Sequence, residues 1–175
     1  MKKLLAFTLL SFVLQTASAQ KTAGSSSYKT AVGIRGGGTS GLTIKHFNSS
    51  SSAIEGIIGF GGNWNNRFSL TCLLEKHTNP FNEDGLSLYY GMGAHLASYR
   101  NGFYADGFYG KNKYNYAYYN ESVFGIGVDG IIGIEYKIQP IPVAVSFDLK
   151  PFLEINTHGY AGIALDPALG IKFTF

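Results

Sequence analysis

The chain holds a single cysteine, Cys72, among its 175 residues. One thiol cannot form an intrachain disulfide. There is no Cys-x-x-Cys and no cluster of His with Cys, so the sequence points to no zinc centre, no other metal and no cofactor. Long apolar runs are also missing: beyond the first 20 residues each is broken by glycine or a charge within a few positions, whereas a spanning helix needs ~20 apolar residues. Charge is scarce, at 14% of residues, and nearly balanced, with 14 Lys plus Arg against 11 Asp plus Glu. A balance of that kind argues against a nucleic-acid partner. The chain is instead rich in glycine, with 23, and in Tyr plus Phe, with 12 and 13. That is too aromatic for a disordered chain. It suits a small barrel, where glycine fits crowded interior positions and aromatic rings border the apolar band.

The first residues have the layout of a secretory signal peptide. Lys2 and Lys3 form a basic region, Leu4 to Leu14 an apolar core, and Ala17-Ser18-Ala19 a small-residue cleavage site. The expected division is therefore a signal peptide over 1–19 and one domain over 20–175. Removing Lys2 and Lys3 leaves 12 basic against 11 acidic residues.

The rest of the chain alternates with a period of two, which only strands convert into two distinct faces. Eight such segments are expected, at about 28–35, 42–47, 53–61, 67–77, 86–99, 123–138, 143–156 and 163–175. The glycine-rich stretch Gly36–Gly41, the serine run after Asn48, Asn63–Asn66, the Pro80 segment, a long loop Arg100–Ser122, Gln139–Pro142 and Thr157–Gly162 separate them. An even count of eight fits an all-β, antiparallel, up-and-down transmembrane barrel of the smallest usual size. It also leaves both chain ends on one side and the longest loop on the other.

The two faces differ sharply. Along the last three segments one face is uniformly apolar, and the other carries Asp129, Glu135, Lys137, Asp148, Lys150, Glu154, Asp166 and Lys172. A secreted ligand-carrying barrel of the same strand number has an apolar interior and a polar exterior. Here the charged face belongs inside, because a lipid-facing charge costs roughly 2–4 kcal/mol at the midplane. Arg35, Lys45, Lys137, Lys150 and Lys172 are then expected to pair inside with Glu55, Glu75, Glu135, Asp148, Glu154 and Asp166, with Asp129 beside them. Buried charges persist only when paired. An eight-strand interior is about wide enough for side chains to fill, so a salt-bridged plug is expected in place of a pore.

For nucleophilic catalysis the candidate pieces are His95, Ser98 and Asp129. Ser98 has the opposite parity to His95 and points away from it, and His95 reads as an interior hydrogen-bonding residue. His158 lies in the last loop. His46 and His77, near segment ends, read as solvated. The remaining candidate is the loop from Tyr99 to Tyr119. It contains Tyr99, Phe103, Tyr104, Phe108, Tyr109, Tyr114, Tyr116, Tyr118 and Tyr119, interleaved with Gly, Asn, Asp and Lys. Loops of this composition offer large contact area at low entropy cost, so the loop is a possible surface for an extracellular ligand. Stacking of the rings on one another and on headgroups is the structural alternative.

The closing segment, Gly170-Ile-Lys-Phe-Thr-Phe175, resembles the terminal strand of bacterial outer-membrane barrels. With Leu74–His77 before a proline-containing turn, Tyr89–His95 and Gly130–Lys137, the chain resembles small outer-membrane barrel proteins of the Bacteroidetes type. The resemblance implies an outer-membrane location, contact with outer-membrane lipid, and recognition of Phe173 and Phe175 as an insertion signal by the barrel-insertion machinery. It implies no catalytic residues. The expected function is non-enzymatic, structural or surface-interacting. The alternatives are a lipid-A-modifying enzyme and a narrow channel.

Overall fold

A computed structural model describes residues 28–62, 65–106, 115–157, 159 and 161–175, with the backbone alone over 61–62, 65–67, 99–106 and 115–122. The signal peptide expected over 1–19, residues 20–27, Trp64, Phe108, Tyr109, Tyr114 and His158 lie outside the described residues.

Eight strands follow one another: β1 (Thr30–Gly37), β2 (Ser40–Phe47), β3 (Ser52–Gly62), β4 (Asn65–Thr78), β5 (Leu86–Asp106), β6 (Asn115–Ile138), β7 (Val143–Asn156) and β8 (Ala161–Thr174). Each pairs antiparallel with its neighbour in sequence, and β1 pairs with β8 to close the barrel. Backbone bonds at the chain ends extend that last seam: Phe175 N donates to Thr30 O at 2.7 Å, and Lys29 N to Phe175 O at 2.9 Å.

The alternation expected from the sequence holds around the whole ring. Among the described side chains most inward positions are buried and most outward ones exposed, with Met92 at 72% and Leu169 at 65% as extremes. Among the strand residues whose side chains are described, Lys76 is the sole lysine, arginine, aspartate or glutamate on an outward position. It lies near the end of β4 that faces the chain termini. Aromatic rings border the apolar wall. Phe60, Phe68 and Phe124 lie toward the end opposite the termini, in the register Phe60↔Phe68↔Ser98↔Phe124. Tyr90, Tyr136 and Phe173 lie toward the termini.

Several boundaries differ from the sequence reading. The turn expected over Gly36–Gly41 shrinks to Gly38-Thr39, because β1 runs on to Gly37 and β2 starts at Ser40. The glycines belong to the ladder, where strands of a narrow barrel approach closely. Gly93 shows the constraint: a Cβ there would stand 2.0 Å from the Cys72 carbonyl oxygen, on the backbone of β4. The expected loop Arg100–Ser122 is largely a hairpin extension. The β5–β6 ladder continues past a bulge between Arg100 and Gly102 through Gly102↔Tyr119, Phe103↔Tyr118 and Ala105↔Tyr116 to Asp106↔Asn115. Tyr and Phe favour strands, and their interleaving with small polar residues reads as a loop only by composition. β4 last pairs with β5 at Arg100, and β7 last pairs with β6 at Gly125, so the ribbon stands clear of both neighbours. Pro151 removes an N–H within β7, and the β6–β7 pairing skips from Asp129↔Phe152 to Ile132↔Leu149 beside it.

Candidate functional site

The interior is lined by alternate residues of all eight strands, and its polar side chains form two tiers. Nearer the termini, Lys45 on β2 is the hub. Its ammonium, wholly buried, meets Glu75 at 2.8 Å, Glu55 at 3.0 Å and Glu135 at 3.3 Å. An ammonium has three protons, and here three carboxylates take them. Lys172, reaching in from β8, binds Glu55 at 3.2 Å and Glu135 at 3.5 Å. Thr43 Oγ1 donates to Glu55 as well.

The second tier lies toward the other end. Arg35 binds Asp148 at 2.6 Å and Asp166 at 3.0 Å through separate guanidinium nitrogens. Lys150 binds Asp129 at 3.0 Å and Asp166 at 3.4 Å. His95 is held between two carboxylates, with Nδ1 2.8 Å from Asp129 and Nε2 2.8 Å from Glu154. The Phe152 ring stands edge-on to it, with centroids 5.3 Å apart.

On the β3–β6 side of the lumen, Ile57, Leu73, Tyr89 and Ile131 form a buried apolar cluster. Tyr89 touches both tiers. Its hydroxyl donates to Asp148 at 3.1 Å, while Lys45 sits 4.2 Å from its ring centroid and His77 stacks on it at 5.1 Å. The ring presses against β6 at Gly133, where a Cβ would come within 2.5 Å of its Cζ.

Eleven of the twelve residues expected in an interior charge network are brought together. Lys137 is the exception. It lies half-buried at the end of β6, where its ammonium donates to the carbonyls of Ile138 at 3.2 Å and Ile141 at 2.6 Å. Its long stem carries the charge past the last rung to the turn carbonyls. His77, expected in solvent, is instead 2% exposed inside the barrel, with Nε2 3.0 Å from Glu75 and Phe47 at its edge. Its parity with Leu73 and Glu75 was the missed signal. His46 is exposed beside Thr30.

Tyr28 is a further member that the sequence did not suggest. It precedes β1 and turns under the barrel, where its hydroxyl donates to Glu135 on β6 at 2.5 Å and its ring meets Phe47 edge-on. Burial, reinforced by the Glu135 carboxylate, raises its ionisation well above the usual tyrosine range.

No catalytic triad assembles around His95. Both of its ring nitrogens face carboxylates, and Ser98 occupies an outward rung opposite Phe68 and Phe124. Of the aromatic segment, Phe103, Tyr104, Tyr116, Tyr118 and Tyr119 fall on the extended ribbon by their backbone positions, while Tyr99 still pairs with Arg67 in the barrel wall. Comparisons with protein-family models, curated proteins and solved structures gave no match to this chain.

Proposed function

We propose that this chain is an outer-membrane barrel that performs no chemistry and works through contacts made beyond its rim, on the β5–β6 ribbon. The observation that carries the transmembrane reading is the inversion of the usual polarity. The exposed wall is apolar, with Lys76 alone charged among its described side chains, while seven carboxylates, three lysines and an arginine are buried inside. Water would favour the opposite arrangement, and lipid favours this one. Aromatic residues at both borders of the wall support the same reading. Export by a signal peptide over 1–19, insertion directed by Phe173 and Phe175, and a Gram-negative, Bacteroidetes-type source belong to this proposal and rest on the sequence features above.

The interior leaves function to the outside. Ion pairs and aromatic rings fill it, and both ring nitrogens of His95 are taken by carboxylates. The ribbon, by contrast, carries the densest run of tyrosine and phenylalanine in the chain on a hairpin without a third strand. Such surfaces suit sugars, peptides or a host protein.

The test has two parts. Purified protein should shift its gel mobility on heating in detergent and float with lipid vesicles; a soluble protein with no mobility shift would refute the membrane reading. A variant shortened by joining residue 101 to residue 120 should keep the mobility shift and lose retention on glycan and matrix-protein arrays that hold the full-length barrel. Unchanged retention would remove the ribbon from the function. Altered lipid-A mass spectra in cells lacking the gene would replace the proposal with the enzymatic alternative.

A further inference from the structure

We propose that His95 is a proton-dependent clasp that fastens β5 to β7 across β6 and so holds the base of the ribbon. The clasp sets how firmly the ribbon is anchored, whatever the ribbon binds.

The arrangement begins with two missing side chains. β6 is bare at its successive inward positions Gly125 and Gly127. A Cβ on Gly127 would stand 2.3 Å from His95 Cε1, and one on Gly125 would stand 2.7 Å from Glu154 Cδ. The imidazole from β5 and the carboxylate from β7 therefore lie over the β6 backbone and meet there, with Nε2 2.8 Å from Glu154. The other nitrogen, Nδ1, is 2.8 Å from Asp129 on β6 itself. An ionised carboxylate only accepts, so each contact needs a proton on the ring nitrogen. Two such contacts make the ring an imidazolium.

The surrounding charges favour that state. β6 presents Asp129 to the ring, and β7 presents Glu154. Lys150 shares Asp129 and reaches Asp166 on β8, and Arg35 on β1 joins Asp166 to Asp148. β4 places Thr71, which is uncharged, opposite His95. Among the described side chains of this tier, four carboxylates face Arg35 and Lys150, and the imidazolium is a third cation. Buried charges persist only when paired.

Pairing of β6 with β7 makes the clasp matter. Pro151 interrupts that ladder, and beyond the gap it consists of the five rungs from Asp129↔Phe152 to Gly125↔Asn156. β6 then leaves for the ribbon. His95 ties this short outer ladder to β5. Histidine is the side chain whose charge ordinarily changes near neutral pH. Loss of one ring proton sets a nitrogen lone pair against a carboxylate, and a short terminal ladder is the first part of a sheet to open.

Nitrogen-15 NMR of the histidine rings in micelles reads the clasp directly. At about pH 6 His95 is expected to carry protons on both nitrogens. Its signal is assigned by its loss in His95→Gln or, should that variant not fold, by substituting the other three histidines in turn. Urea unfolding in vesicles reads the consequence. Stabilisation carried by the imidazolium is present at low pH and lost as pH rises through its titration. The advantage of the native barrel over His95→Gln should therefore shrink between about pH 6 and pH 9, by roughly tenfold or more in the ratio of folding equilibrium constants. Glu154→Gln removes one of the two carboxylates and should flatten the same dependence. At one fixed pH, amides of Gly125–Asp129 and Phe152–Asn156 should exchange faster in His95→Gln than in the native protein, and those of Thr30–Gly37 should not. A neutral His95 ring at about pH 6 in the native protein would overturn the proposal, and that reading needs no variant to fold. The same pH dependence in native, His95→Gln and Glu154→Gln barrels, or unchanged exchange along the outer ladder, would overturn it too.

Discussion

Placing one arginine on the outer wall turns the lipid-facing assignment into a number. Cys72 faces outward on β4, four residues from Phe68 and four from Lys76. At ~3.3 Å per residue and a strand tilt of about 40°, each border is about 10 Å away. Cys72 therefore stands near mid-depth of an apolar band ~20–25 Å tall. Lipid there should make Cys72→Arg cost roughly 2–4 kcal/mol. That corresponds to a loss of roughly 30- to 1,000-fold in the folding equilibrium. Thr78→Arg lies on the same outward face, two residues beyond Lys76, and should cost about 0–1 kcal/mol. If water covered the wall, both substitutions would stay within about 0.5 kcal/mol, as exposed surface changes usually do. The assay is reversible urea unfolding in phosphatidylcholine vesicles, followed by the fluorescence of the single tryptophan and by gel mobility. A Cys72→Arg cost no larger than that of Thr78→Arg would refute the lipid-facing assignment for all eight strands, since one parity runs through the ring.

Lys45→Met leaves Glu55 and Glu135 with Lys172 and Glu75 with His77 alone, and should lose about 3–5 kcal/mol in the same titration; adding Glu75→Gln should recover part of that loss. Equal stability of Lys45→Met and the native protein would show that the hub is dispensable. Tyr28→Phe removes one hydrogen bond to a buried carboxylate and should cost roughly 1–3 kcal/mol, with no change in the rate of vesicle insertion measured by gel shift. Gly93→Val would drive its Cβ into the backbone of β4, so the heat-shifted band should be lost, whereas the outward neighbour Ala94→Val should keep it. A native-like mobility shift in Gly93→Val would contradict the close approach.

Much of this was legible because a strand writes its two faces into alternate letters. Ile163 to Phe175 already separates outward from interior residues, and one such strand sets the sign for its neighbours through register. The departures have physical causes. Tyr28 shares parity with Val32 and Ile34, yet it precedes Thr30, where the ladder begins, so parity does not govern it. Lys137 shares parity with Glu135, but it sits at the last rung, where a four-carbon stem reaches carbonyls that shorter side chains miss. Gly36–Gly41 reads as a turn because glycine marks turns in most chains; inside a narrow barrel it marks contact between strands. The division of the interior into two tiers was not legible at all, since it depends on which arms cross the lumen. Alternation gives a side chain's direction and not its reach.

The seam between β1 and β8 differs in kind from the other seven. Those are hairpin neighbours, which find each other across a turn or a short ribbon. Ala31 and Thr174 pair across a sequence separation of 143 (174 − 31). Entropy of closure grows with that separation, and non-local pairing slows folding. Seven seams can therefore zip as local events, each protected as soon as it forms, while a curved open sheet waits with two unpaired edges. Completion is then expected to be a late encounter of its first and last strands. Protection of backbone amides against exchange should accordingly appear last along Ala31–Gly37 and Ala168–Thr174, which makes this seam the timekeeper of assembly.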